Sequence, residues 1–239
     1  MRLLIVNPNT TEAMTERMAG VARAAAAPGT EIIALTAPRG FPYISSRAEA
    51  QVAGVVALEM IAAAPPADAA VIAAFGDPGL RAARELFAMP VVGLAEAAML
   101  AACALGDRFA IVTFTPSMID WYGEGVGAAG LGGRFAGFRV PPAARGPVAD
   151  VAETMRADIE TLVHDAAADG ADVVILGGAP LAGLAGALEV PGTTLVDPVL
   201  AALGLAETLV RLAPGGAARR PPGKVSTGLD PALARAMGG

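Results

Sequence analysis

The chain has 239 residues, of which 54% are hydrophobic, 17% are charged and 56 are alanine. That apolar content excludes a disordered chain, and glycines without a period of three exclude a collagen-like one. A net charge of -6 with a pI near 4.8 gives no sign of a basic face for nucleic acid, while one cysteine allows no internal disulfide and one histidine no histidine-based metal cluster.

Met1 to Asn7 break their apolar run too early for a signal sequence. The longest uncharged stretch, Val173 to Leu188, is too short and too interrupted by glycine and Pro180 to span a membrane. A soluble cytoplasmic protein is expected. Continuous apolar runs predict strands at Leu3–Val6, Glu31–Thr36, Ala70–Ala73, Val91–Leu94, Phe109–Thr113, Phe135–Val140, Val173–Gly177 and Thr194–Val196. Alanine-rich stretches between them predict helices at Thr11–Ala26, Arg47–Ala63, Gly79–Ala88, Glu96–Leu105, Ala149–Ala168 and Val199–Leu212. Strand–helix alternation of this kind is α/β, with parallel sheets covered on both faces. Ser46 and Glu49 read as a capping box ahead of the second helix, and Asn9 to Glu12 offer capping oxygens ahead of the first. Proline and glycine punctuate the chain at Ala64–Pro66, at Pro141–Pro147 and from Pro214 to Gly216. Residues 213–239 read as a solvated tail, with a last helical turn or two near Pro231–Met237.

The two halves repeat one another. Arg2 to Asn9 align with Arg108 to Thr115, Ala67 to Ala74 with Ala171 to Gly178, Gly79-Leu80 with Gly183-Leu184, and Pro90 to Glu96 with Pro191 to Asp197. The expected architecture is two pseudo-symmetric, Rossmann-like lobes with parallel sheets. They comprise residues 1–97 and 98–198, with the helix at 199–212 packing back on the first. Ligands bind at the carboxyl ends of strands in such sheets, so the cleft between the lobes is the expected site. No dinucleotide glycine motif, phosphate-binding loop or serine-nucleophile elbow competes with this reading.

Several motifs carry a resemblance over residues 1 to about 212. They are Asn7-Pro8-Asn9-Thr10, Gly76-Asp77-Pro78-Gly79-Leu80, Gly93-Leu94-Ala95-Glu96-Ala97, Phe109 to Thr113, and Ile175-Leu176-Gly177. Together they resemble the aspartate/glutamate/hydantoin racemase superfamily, most closely its hydantoin and allantoin racemase branch. The resemblance implies a cofactor-independent isomerase in which two cysteines, one per lobe, take and return a proton on opposite faces of the substrate carbon. A tuned thiol suits that task because it is partly ionised near neutral pH. The positions that match those cysteines here are Ala74 and Gly178, and neither side chain can exchange a proton. A related decarboxylase branch keeps one cysteine, at the position of Gly178, so its mechanism is missing too.

By the same resemblance Asn7, Asn9, Thr10, Thr113 and Thr115 line the pocket and hydrogen-bond a carboxylate or imide. The backbone beyond Ala74 and Gly178, at Phe75, Gly76 and Ala179, could hold an oxyanion. Ser45 either reaches the cleft or belongs to the cap of its helix. Asp77 is either a general acid or base or an ordinary turn residue, and Glu96, paired by symmetry with Asp197, either lines the cleft or caps a helix. Trp121 and Tyr122 either cover the pocket or pack. Cys103 reads as a buried core cysteine and His164 as solvated. Two functions follow. One is an enzyme acting on a hydantoin or amino-acid-derived molecule by non-thiol proton transfer or by a changed reaction such as decarboxylation. The other is a non-catalytic binder of the same ligands. Either way a small-molecule ligand, a homo-oligomer, and no metal, cofactor, nucleic acid or membrane are expected.

Overall fold

Each apolar run becomes a strand: β1 (Arg2–Asn7), β2 (Glu31–Thr36), β3 (Ala69–Ile72), β4 (Val91–Gly93), β5 (Phe109–Val112), β6 (Phe135–Arg139), β7 (Val173–Leu176) and β8 (Thr194–Val196). The computed structural model describes residues 1–143, 146–213 and 222–238. Two four-stranded parallel sheets run β2-β1-β3-β4 and β6-β5-β7-β8, so the strand order repeats between the halves. The register repeats as well. Val6 pairs with Ile72 and Val112 with Leu176 at the carboxyl edge of the two central pairs. One residue further, Ala73 donates to the carbonyl of Val6 at 2.8 Å, and Gly177 to that of Val112 at 2.8 Å. The α/β architecture read from the repeat is therefore the one observed.

The helices are α1 (Glu12–Ala25), α2 (Arg47–Ala63), α3 (Leu80–Leu86), α4 (Leu94–Leu105), α5 (Ile119–Ala128), α6 (Val151–Thr154), α7 (Arg156–Ala168), α8 (Pro198–Leu212) and α9 (Pro231–Ala236). Two features depart from the sequence expectation. The stretch expected to be one helix over Ala149–Ala168 breaks at Met155, whose side chain is wholly buried in the core of the second half. Helix α5 lies where no helix is expected. Its glycines at 123, 125 and 127 weaken it intrinsically, and burial of Tyr122 and Val126 compensates.

Alanine abundance has a packing consequence. One core joins the inner faces of both sheets (Leu3, Ile5 and Val71 with Phe109, Ile111 and Ile175) through the small faces of α4 and α8. Residues Ala97, Ala98 and Ala102 on α4, and Ala202 and Ala206 on α8, let those helices sit close. Helix α8 is tied to the first half by Glu207, which accepts from Ala27 N at 3.0 Å and Thr30 Oγ1 at 2.8 Å. Of the expected tail, residues 214–221 lie outside the described residues, while α9 docks on α2 with Leu233 buried. Among the described residues no helix is long and apolar enough to cross a membrane.

Candidate functional site

The repeated registers place the loops after β3 and β7 side by side. Phe75, next to Ala74, lays its ring against Gly177, next to Gly178: a Cβ on Gly177 would stand 3.0 Å from Phe75 Cε1. The two matched positions thus flank one aromatic contact between the halves. Neither carries a titratable group. Ala74 is buried against Ile44, Ala50, Ala53 and Trp121. Gly178 has φ +132°, a backbone angle that side chains rarely adopt, and a Cβ there would lie 2.8 Å from Phe114 Cε1.

Five of the chain's ten aromatic side chains gather here. Tyr122 meets Phe75 edge to face at 4.8 Å, Trp121 meets Tyr122 at 5.5 Å, and Tyr43 meets Phe114 at 5.8 Å. Helix α5 presses Trp121 on Gly76, where a Cβ would lie 2.6 Å from the indole. Ion pairs stitch the halves around this cluster: Arg47 with Glu124 and Arg17 with Glu153. Trp121 and Tyr122 therefore pack.

The polar residues at the first-strand ends separate into those the fold consumes and those it leaves underused. Asn7 is buried; its Nδ2 donates to Asn9 Oδ1 at 3.0 Å and Thr15 Oγ1 at 2.9 Å, and its Oδ1 accepts from Asn9 N at 3.1 Å. Asn9 Oδ1 also accepts from Thr11 N at 2.9 Å, but its Nδ2 meets only the Met14 sulfur, at 3.7 Å. Thr10 holds the next loop by donating its amide to Phe41 O at 2.9 Å. Thr115 is half-buried and shares a 3.1 Å hydroxyl contact with Ser117. Ser45 donates its amide at 2.6 Å and its hydroxyl at 2.9 Å to Glu49 Oε2, while Ser46 Oγ accepts from Glu49 N at 3.2 Å. Both serines thus serve the cap of α2. Thr113 is fully buried, and its Oγ1 has no hydrogen-bond partner; Tyr43 Oη is in the same position. Buried polar atoms of this kind are rare and call for an explanation. Tyr43 was not among the residues singled out from the sequence. Its signal is an orphaned hydroxyl, which only coordinates reveal. Ala179 opens a buried turn, Ala179–Leu181.

The acids are committed to helix ends. Asp77, held at φ +54°, accepts from Ala95 N at 2.9 Å and Glu96 N at 2.8 Å, so it caps α4. Burial pushes its carboxyl up to about 7, against those two amide bonds, which lower it. Asp197 caps α8 by accepting from Val199 N at 2.8 Å, and it also accepts from Gly183 N at 2.5 Å; burial raises it too. Glu96 is engaged by both terminal guanidinium nitrogens of Arg84. Asp77 and Tyr122 line a cavity of about 270 Å³ between α3, α4 and α5. Cys103, expected in the core, is half-buried on α4 near Asp107 and Asp172. That is the amino end of the second sheet, opposite the edge that carries Ala74 and Gly178. His164 is exposed. Among the described residues no group of three or more His, Cys, Asp or Glu is placed to hold a metal.

Comparison with known proteins agrees with this fold. A family model described as Asp/Glu/Hydantoin racemase matches residues 3–206. The chain is 38% identical over 220 residues to a hydantoin racemase from Paenarthrobacter aurescens, covering 89% of this chain and 92% of that one. Its fold superimposes on an allantoin racemase from Klebsiella pneumoniae with a TM-score of 0.90 at 35% identity, covering 95% and 96% of the two chains. An allantoin racemase from Pseudomonas fluorescens gives 0.87 at 34% identity, covering 95% and 100%. The chain belongs to the Asp/Glu/hydantoin racemase family.

Proposed function

We propose that this chain binds a small hydantoin-like or amino-acid-derived molecule in the cleft between its halves, without two-thiol racemisation and without exchanging the proton on its α-carbon. The observation that carries the reading is the placement of the thiol. Ala74 and Gly178 stand at the two strand ends, and Cys103 stands at the opposite end of the second sheet. A thiol there has no path to a carbon held between Ala74 and Gly178. Asn9, Tyr43 and Thr113 supply the underused polar groups for a ligand, and the backbone at Phe75, Gly76 and Ala179 supplies donors for its oxygen. The family's hydantoin and allantoin racemases support the ligand class.

A second reading rests on Asp77, which lines the cavity with Tyr122 and is pushed up to about 7 by burial. A carboxyl with that value can exchange a proton near neutral pH. One incubation separates the two readings. The protein is held in D₂O with single enantiomers of hydantoins and allantoin, and mass spectrometry follows deuterium at the α-carbon and loss of CO₂. Saturable binding with exchange no faster than in a protein-free control is expected from the first reading. Exchange above the control that Asp77→Asn abolishes would overturn it in favour of the second.

A further inference from the structure

We propose that Tyr43 is a specificity-determining residue of the cleft, and that its hydroxyl donates to an uncharged carbonyl oxygen of the ligand. This rests on the cleft being the binding site. Tyr43 belongs to the first half but is pressed on Phe114 of the second, whose ring in turn faces Gly178. Its loop is fixed, since Phe41 O accepts from Thr10 N at 2.9 Å and Pro42 O accepts from Thr11 Oγ1 at 2.7 Å. The ring is therefore held where the halves meet, and its Oη is buried without a partner. A buried donor left unmade costs stability, so a ligand that satisfies it gains what the free protein lacks.

The surroundings select the ligand group. Burial, with help from the negative charge of Glu49, keeps the phenol protonated, so at neutral pH it can donate. The same negative charge disfavours a carboxylate at this spot. The basic residues on either side in sequence, Arg39 and Arg47, are bound to Glu59 and Glu124. An anion brought to Tyr43 would meet a phenol and an acid. A neutral ring carbonyl would meet the same two groups without the repulsion between like charges.

The test measures binding of neutral 5-substituted hydantoins, and of the ring-opened N-carbamoyl amino acids as their carboxylate counterparts, to the wild type, Tyr43→Phe and Tyr43→Leu. We expect the wild type to prefer the hydantoins. Tyr43→Phe should lose about tenfold in hydantoin affinity while melting no lower than the wild type, because it removes an unsatisfied hydroxyl and keeps the ring. Tyr43→Leu should lower the melting temperature through lost ring packing, which separates the ring from the hydroxyl. Unchanged hydantoin affinity in Tyr43→Phe, or a wild-type preference for the carboxylates, would overturn this proposal and leave the cleft reading standing. Absence of binding of either class to the wild type would overturn both.

Discussion

The carboxylate of Asp77 occupies the space where a side chain on Gly93 would stand: a Cβ there would lie 2.6 Å from Asp77 Oδ1. Gly93 ends β4 and immediately precedes α4, and Asp77 reaches across from the loop after β3 to accept the first amides of that helix. Strand end, loop and helix start are thus locked by one side chain. Gly93→Ala should expel the carboxylate and destabilise the fold by about 2 kcal/mol, the cost of a lost cap plus crowding. Asp77→Ala should cost a similar amount. The double variant should cost much less than the two together, because the methyl added at position 93 then fills vacated space. Urea unfolding of the four proteins measures this, and additive losses would refute the lock.

Asp77 also predicts a pH dependence. Its folded value of about 7 lies above the ordinary aspartate value of 3.8, and burial is the main cause. The folded state therefore holds this proton more tightly than the unfolded state. The resulting stability is fully present below about pH 4 and is lost as pH rises through 7. Asp197 is raised as well and adds in the same direction. Unfolding free energy measured between pH 4 and pH 8 should carry this downward component, and Asp77→Asn should remove part of it. Equal slopes for variant and wild type would show that Asp77 titrates outside this range.

Thr113 carries the opposite trade. Its hydroxyl is fully buried without a partner, at the place where Asn7 stands in the first half. Asn7 is absorbed by Asn9 and Thr15, so the fold explains it; Thr113 is not absorbed, and we assign it to the ligand. Thr113→Val keeps the shape and removes the orphan. It should stabilise the free protein by about 1 kcal/mol and weaken hydantoin binding. Calorimetry on free and liganded protein reads both, and a loss of stability would show that the hydroxyl serves the fold.

The fold was legible because its signals are periodic. Apolar runs marked every strand, and the repeat between Arg2–Asn9 and Arg108–Thr115 foretold two sheets of one strand order. Helix α5 was not legible, because three glycines in ten residues hide a helix that packing sustains. At the candidate site the hydrogen-bond partners were not legible. Asp77 and Glu96 follow β3 and β4, and Ser45 precedes α2, yet their oxygens are taken by backbone amides, by Arg84 or by Glu49, partners that no linear pattern displays. Tyr43 was invisible for the converse reason: what marks it is a missing partner.

The backbone and its surroundings at position 178 favour glycine. A side chain there faces two obstacles, a φ of +132° and the ring of Phe114 at 2.8 Å. Installing thiols at both strand ends therefore does not amount to restoring a two-thiol cleft. Ala74→Cys should be tolerated, since it adds one atom beside Ile44 and Trp121. Gly178→Cys should destabilise by about 2 kcal/mol or more, through backbone strain and overpacking. Phe114→Ala should relieve the overpacking but not the strain, so Phe114→Ala/Gly178→Cys should be more stable than the sum of its parts predicts. Combined with Ala74→Cys, that pair is the form in which hydantoin exchange in D₂O should first rise above the wild type. The Ala74→Cys/Gly178→Cys protein, with Phe114 intact, should exchange no faster than the wild type. Equal exchange in the two engineered proteins would show that Phe114 is not what closes the second half of the cleft to a thiol.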